Sequence, residues 1–80
     1  MADVADRVKK VTAETLNVDP SRVDEKSRFV EDLGASSMQS VELVAAFEEE
    51  FDIDMDEQAA LSVKDVGDAV RFIREIVEGS

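Results

Sequence analysis

Phe29–Phe51 reads FVEDLGASSMQSVELVAAFEEEF and contains the strongest helix start in the 80-residue chain. Ser36 and Gln39 have the spacing of a capping box, in which each side chain accepts a hydrogen bond from the backbone amide of the other residue. This spacing places Ser37 at the first position of a helix. Residues four apart share one face of a helix, and the predicted core stripe consists of Leu43, Phe47 and Phe51, with Ser40 and Val44 at its edge.

The same helix has a second apolar stripe, formed by Met38, Val41 and Ala45. It lies well around the helix from the core stripe and is flanked by Glu42, Glu48 and Glu49. A helix needs only one apolar face to join a core. We therefore expect the second stripe either to pack on another element or to be offered to a partner.

Helical spacing continues on both sides of this stretch. It predicts a first helix from just after Asp3 to near Leu16, closed by Asn17, and a short helix over Glu57–Leu61. A last helix is predicted after the cap Asp65. Its apolar stripe consists of Val66, Ala69, Val70, Ile73 and Val77, and it is widened by Phe72 and Ile76. The long first connection has its own apolar anchors, Val23, Phe29, Val30 and Leu33.

No segment shows the alternation of apolar and polar residues that is typical of a strand. The sequence therefore predicts an all-α fold in one domain over residues 1–80. We expect a four-helix bundle with a short third helix and a long first connection.

Acidic residues are concentrated in the middle of the chain. Twenty Asp and Glu against nine Lys and Arg give a net charge of −11. Between Phe29 and Val63 there are ten acidic residues and no basic one, so this segment carries −10 and the rest of the chain −1. A solvated face is the ordinary interpretation of such a cluster. Because this cluster surrounds the second apolar stripe, we interpret it as a rim for weak, salt-sensitive docking to basic surfaces.

The composition argues against several classes of function. With no His and no Cys, the chain lacks the usual general base, thiol nucleophile and zinc ligands, which disfavours most enzymes. Its negative charge disfavours nucleic acids and anionic membranes as partners. The chain also contains no apolar run long enough to span a bilayer and no leader-like segment, so we expect a cytoplasmic protein.

An acidic segment of the chain partly matches a calcium-binding loop. Asp52, Asp54 and Asp56 occupy the first three ligand positions, but Glu57 and Val63 stand where glycine and a bidentate glutamate are required. We therefore predict no metal site. Loose divalent binding to the clustered carboxylates stays open.

Residues 29–53, FVEDLGASSMQSVELVAAFEEEFDI, strongly resemble acyl carrier proteins of fatty acid and polyketide synthesis. The likeness extends to RVKK at residues 7–10 and to VKDVGDAVRFI at residues 63–73. In that family, the serine of an Asp-Ser-Leu sequence carries 4′-phosphopantetheine, and Ser37 aligns with it. The resemblance implies a non-catalytic carrier that holds acyl chains as thioesters on this arm, with the second helix as its docking surface.

The resemblance assigns roles to particular residues. Ser37 is the expected attachment site, although serine is also common at helix starts for capping alone. The expected docking residues are Met38, Val41, Glu42, Ala45, Glu48 and Glu49. An attached acyl chain is expected to fold back into a space lined by Leu43, Phe47, Val63, Ala69 and Phe72. The implied partners of this monomeric carrier are a phosphopantetheinyl transferase and acyl-transferring and synthase enzymes with basic docking surfaces.

Two positions beside Ser37 depart from the family pattern. Ser36 stands where members usually have Asp, and Gln39 stands where they commonly have an acid. Serine caps a helix as well as aspartate does, so these changes do not threaten the fold, but we expect weaker recognition by the usual transferase. Two alternatives remain: a carrier of aminoacyl or peptidyl groups, and an acidic interaction module that never takes the cofactor.

Overall fold

The computed structural model describes residues 3–79 and consists of helices and connections. The helices are α1 (Val4–Leu16), α2 (Ser37–Phe51), α3 (Glu57–Leu61) and α4 (Val66–Glu78), and a single 3-10 turn covers Pro20–Arg22. Within the described residues, the only β-type pairing is an isolated bridge between Arg28 and Asp65. The all-α prediction, with a short third helix and a long first connection, is confirmed.

Side-chain caps begin the helices, and left-handed residues end two of them. Asp3 accepts a hydrogen bond from the Asp6 amide at 3.0 Å, and Asp65 accepts one from the Asp68 amide at 2.8 Å. Asn17 closes α1 with a φ of 56°, as its residue type predicted. The helix bounds therefore follow from local sequence.

The core lies where α1 packs against α2 and α4. Its innermost side chains belong to α1 and α4: Val8, Thr12, Val66, Val70 and Ile73. From the predicted core stripe of α2, Leu43 and Phe47 are buried, whereas Phe51 is only half-buried at the edge of the core. The predicted burial of Val77 is wrong, since this side chain is 42% exposed. Ile76 and Val77 lie on either side of the line through Ile73, and Ile76 is the half-buried one.

The long first connection is tied to the start of α4 by backbone hydrogen bonds. The Phe29 amide donates to the Lys64 carbonyl at 3.1 Å, and the Val66 amide donates to the Ser27 carbonyl at 3.0 Å. The Gly67 amide donates to the Glu25 carbonyl at 2.8 Å, and a Cβ at Gly67 would lie only 3.0 Å from that oxygen. A side chain at this position would push the Glu25 carbonyl away by a few tenths of an ångström, which glycine avoids.

The predicted anchors of this connection differ in their burial. Val23 and Phe29 are buried, and Leu33 is half-buried against the core. Val30 is 55% exposed, so its prediction as an anchor is wrong. It lies in the turn that follows Phe29, and Phe29 takes the inward position of that turn.

An ionic clamp holds the turn that precedes α2. Asp32 accepts hydrogen bonds from the Arg28 amide at 2.8 Å and from Arg28 Nε at 3.1 Å. These bonds hold the pKa of the Asp32 carboxyl below its ordinary value, and the bond from the Arg28 side chain contributes most to this shift. Both residues of the clamp are exposed to solvent, and their bonds close the turn that leads toward Ser36.

Arg7 joins the beginning of α1 to the end of α2. Its Nε lies 2.8 Å from Glu50 Oε2, and a guanidinium NH₂ group donates to the Glu50 carbonyl at 2.6 Å. The guanidinium carbon also lies 4.4 Å from the centre of the Phe51 ring. A cation beside the last carbonyls of a helix is favourable because the helix dipole is negative there.

Among the described residues, no helix is long and apolar enough to cross a membrane.

Candidate functional site

Ser37 is the first residue of α2, as the sequence predicted, and its neighbours form the predicted capping box. The Ser36 hydroxyl accepts from the Gln39 amide at 3.1 Å, and Gln39 Oε1 accepts from the Ser36 amide at 3.0 Å. The Ser40 hydroxyl donates to the Ser36 carbonyl at 3.1 Å. Ser37 is exposed, and its hydroxyl has no hydrogen-bond partner within residues 3–79. Of the three serines in this turn, it is the one whose hydroxyl is free to react.

The surroundings of Ser37 suit a covalently attached phosphodiester. Residues 34–41, GASSMQSV, contain no charged side chain in a chain of net charge −11. The first amides of α2 lack intrahelical partners, and the helix dipole is positive at this end. An anion there is stabilised by about 0.3 to 1 kcal/mol at an exposed site. The residues present therefore fit the phosphate end of a phosphopantetheine arm.

The second apolar stripe of α2 is open to solvent. Met38 is 74% exposed and Val41 46%, and Ala45 is exposed beside them. Among the flanking acids, Glu42 and Glu49 are exposed. We expected this stripe either to pack on another element or to be offered to a partner. Within residues 3–79 no element packs on it.

Glu48 differs from the other predicted docking acids. It is half-buried, and its Oε2 accepts a hydrogen bond from the Met55 amide at 2.9 Å. Its carboxylate is therefore engaged inside the fold. The sequence pattern, which groups Glu48 with Glu49, contains no signal of this bond.

A cavity of about 310 Å³ lies between α2, α3, α4 and the end of the first connection. It brings together all five side chains predicted to surround an acyl chain, namely Leu43, Phe47, Val63, Ala69 and Phe72. Its other lining residues are Phe29, Val30, Glu31, Ser40, Val44, Met55, Ala60, Leu61 and Lys64. That this cavity takes an acyl chain stays a prediction.

Sequence reasoning missed the α3 side of the cavity. Met55, Ala60 and Leu61 line it, but α3 has only five residues, too few for a helical period to distinguish an inner face. The only available signal was the placement of small and apolar residues in an otherwise acidic segment.

The acidic segment around Asp52, Asp54 and Asp56 does not gather its carboxylates around one point. Within residues 3–79, no group of three or more Asp and Glu side chains lies close enough to hold a metal ion.

Comparison with known proteins points to one family. The family described as "Phosphopantetheine attachment site" matches residues 6–73. The chain is 55% identical over 75 residues to the acyl carrier protein of Phenylobacterium zucineum, covering 94% of this chain and 95% of that protein. It is 53% identical over 75 residues to the acyl carrier protein of Caulobacter vibrioides, covering 94% and 96%. The segment around Ser37 resembles the phosphopantetheine-bearing segment of acyl carrier proteins. The chain therefore belongs to the acyl carrier protein family.

Proposed function

We propose that Ser37 carries the 4′-phosphopantetheine of this acyl carrier protein and that the chain, itself not a catalyst, presents acyl groups to partner enzymes. The pathway is fatty acid, lipid or polyketide biosynthesis in the cytoplasm. The observation that carries the proposal is the free, exposed hydroxyl of Ser37 at the uncharged start of α2. When bound, the cofactor supplies a thiol for thioester formation, which this cysteine-free chain lacks.

The residues of the chain have two further roles in this proposal. The apolar stripe of Met38, Val41 and Ala45 docks against partner enzymes, and the acids around it attract basic surfaces. The cavity shelters the acyl chain from water between encounters. Its largely apolar lining supports an alkyl cargo, because each buried CH₂ contributes about 0.8 kcal/mol. A small polar aminoacyl group would gain little there.

The proposal is tested by incubating the apo protein with coenzyme A and a broad-specificity phosphopantetheinyl transferase. Intact-protein mass spectrometry is expected to show one added phosphopantetheine on the wild-type chain and none on Ser37→Ala. Ser40→Ala is the matched control, since it removes a neighbouring hydroxyl and is expected to keep the added mass. Helical circular dichroism verifies that each variant is folded.

Three outcomes would contradict the proposal. An increment that survives in Ser37→Ala would place the attachment elsewhere. A wild-type chain that stays unmodified would favour the alternative of an acidic interaction module. Loading of amino acids in preference to fatty acyl groups would favour an aminoacyl or peptidyl carrier.

A further inference from the structure

Met38 is the most exposed large apolar residue among residues 3–79. It is 74% exposed, whereas the next in order, Val30, is 55% exposed. It is the second residue of α2 and directly follows Ser37. Its thioether is therefore open to small oxidants in solvent, which convert methionine to methionine sulfoxide.

The other methionine within residues 3–79, Met55, has a different environment. It is half-buried, packs against the core and lines the cavity. The fold thus shields Met55 in part from solvent. Because an oxidant reaches a shielded sulfur less often, Met38 is expected to react first.

The start of α2 does not depend on the side chain of Met38. This residue is not part of the hydrophobic core, and the capping box is formed by Ser36 and Gln39. A sulfoxide at this position lies in solvent and leaves the capping bonds in place. Oxidation of Met38 thus changes the surface of α2 and not its fold.

The same oxidation changes the chemistry of the apolar stripe. Met38 is the largest member of the stripe, which it forms with Val41 and Ala45. A sulfoxide replaces part of this apolar surface by a polar oxygen. When a partner covers the stripe, that oxygen loses its hydrogen bonds to water, and this costs free energy unless the partner supplies a donor.

The Asp-Ser-Leu pattern has leucine at the position of Met38. Leucine and methionine are similar in volume and exchange at little cost in packing. Only methionine offers a sulfur to oxidants. Met38 therefore keeps the apolar contact of leucine and adds a group that can be oxidised.

We propose that Met38 is an oxidation site that controls the docking of partner enzymes beside Ser37. Hydrogen peroxide transfers one oxygen atom to the thioether sulfur: the O–O bond breaks, an S–O bond forms, the sulfur is oxidised and the peroxide is reduced to water. Methionine sulfoxide reductases reverse the step with electrons from a pair of thiols, which become a disulfide, and the oxygen leaves as water. The control of docking rests on the proposed function, whereas the selective oxidation of Met38 is tested without it.

The first experiment treats the folded protein with hydrogen peroxide and follows the oxidation of each methionine by peptide mass spectrometry. We expect Met38 to gain one oxygen atom several-fold faster than Met55, and Met38→Leu to lose this fast reaction. In urea, where the fold no longer shields Met55, the two rates are expected to become equal. Circular dichroism is expected to show unchanged helicity when Met38 is oxidised and Met55 is not.

Oxidation of Met55 as fast as that of Met38 in the folded protein would overturn the proposal. So would a difference in rate that persists in urea, since it would not come from the fold. A loss of helicity on oxidation of Met38 would overturn it as well, because the change would then not be confined to the surface of α2.

The second experiment measures kcat/KM for phosphopantetheine transfer to Ser37 by a broad-specificity transferase, before and after peroxide treatment. It uses Met55→Leu, in which Met38 is the only methionine left within residues 3–79. We expect oxidation to lower kcat/KM by about tenfold, which corresponds to about 1.4 kcal/mol, within the range for a buried polar group without a partner. Treatment with methionine sulfoxide reductase is expected to restore kcat/KM. The matched control is the double variant Met38→Leu, Met55→Leu, in which peroxide is expected to leave kcat/KM unchanged.

An unchanged kcat/KM after oxidation of Met38 would overturn the control of docking. An equal loss in the double variant would also overturn it, because the effect would then belong to another residue. If the transferase does not modify the untreated protein, the proposed function fails and the control of docking falls with it, while the first experiment still decides the oxidation site.

Discussion

The two ends of α2 have opposite surface chemistry. The beginning, residues 34–41, has no charged side chain and exposes Ser37, Met38 and Val41. The far end and the turn after it, residues 48–57, contain seven acidic residues and are bonded into the fold through Arg7 and Glu48. A helix of fifteen residues is about 22 Å long, so these ends are more than a Debye length apart at physiological salt.

This difference indicates a division of roles along one helix. In the proposed function, a phosphodiester at Ser37 would add its charge where the chain has none, and the apolar stripe of α2 would make close contact with a partner. The distant acids would act at longer range, where charge steers association more than it sets affinity. Substitutions in the middle of α2 and at each of its ends test whether these roles are separate.

The largest effect is expected in the middle of α2, where the cavity lies. In a series of acylated proteins with increasing chain length, the free energy of unfolding is expected to rise by up to about 0.8 kcal/mol per buried CH₂ and then level off. The plateau is reached when the cavity of about 310 Å³ is full. Thermal unfolding of the series measures this gain in stability. In Phe47→Leu, whose side chain is smaller, the gain is expected to level off at a longer acyl chain.

A melting temperature that does not depend on acyl length would contradict this prediction. It would favour a chain left in solvent or a small polar cargo.

The next effect concerns the bonded end of α2. Arg7→Ala removes a hydrogen bond to the Glu50 carbonyl, an ion pair and a contact with the Phe51 ring. We expect a loss of about 1 to 2 kcal/mol in the free energy of unfolding, discounted for the partial exposure of the pair. Urea denaturation measures it. Arg74→Ala, which breaks an exposed pair with Glu78 at 4.0 Å, is the control and is expected to cost about 0.5 kcal/mol or less.

Equal losses in Arg7→Ala and Arg74→Ala would show that the far end of α2 needs no such tie. A slower modification of Ser37 in folded Arg7→Ala would contradict the independence of the two ends.

At the uncharged end, added acids are expected to help a generic transferase. The double variant Ser36→Asp, Gln39→Asp introduces two exposed charges beside Ser37, each worth about 0.2 to 1 kcal/mol in contact with a basic surface. A rise of a few fold to about tenfold in kcat/KM is expected. Helicity is expected to persist, because acids suit a cap and a first turn.

The control for this variant is Gln58→Asp with Ser62→Asp, which adds the same charge around α3 and is expected to leave kcat/KM nearly unchanged. Equal rates for the wild-type chain and the Ser36, Gln39 variant would show that the two departures from the family pattern do not affect recognition.

The smallest effect is expected for a single rim charge. Glu42→Lys is expected to slow acyl loading by up to about fivefold at low salt, since one exposed contact contributes at most about 1 kcal/mol. The difference is expected to shrink above about 0.1 M salt, where the Debye length is about 10 Å. Stopped-flow loading kinetics measure it, with Glu14→Lys on the exposed side of α1 as the control. A loading rate insensitive to both Glu42→Lys and salt would place the interface elsewhere.

Features that depend on neighbours in the chain were predictable. The capping box of Ser36 and Gln39, the left-handed end at Asn17 and the position of Ser37 all follow from side chains that bond to backbone within four residues. The apolar face of α2 followed from its period, because Leu43 and Phe47 are brought together by helix geometry alone.

Features that depend on packing between elements were not predictable. Val30 and Val77 are apolar and yet exposed. The residue beside each of them faces the core instead: Phe29 is buried and Ile76 is half-buried. Burial at such places is decided by which of two adjacent apolar residues faces a neighbouring element.

Local sequence was therefore sufficient for the helices, their caps and the serine at the start of α2, since these depend on contacts a few residues apart. Three features were decided only by tertiary packing. They are the cavity wall at Met55 and α3, the bonds from Arg7 to Glu50 and the bond between the Glu48 carboxylate and the Met55 amide. These contacts join residues up to 43 positions apart, and Glu48 and Glu49 are the same residue type side by side. Their different environments arise because α2 turns them by about 100° relative to each other and the following turn covers only one of them.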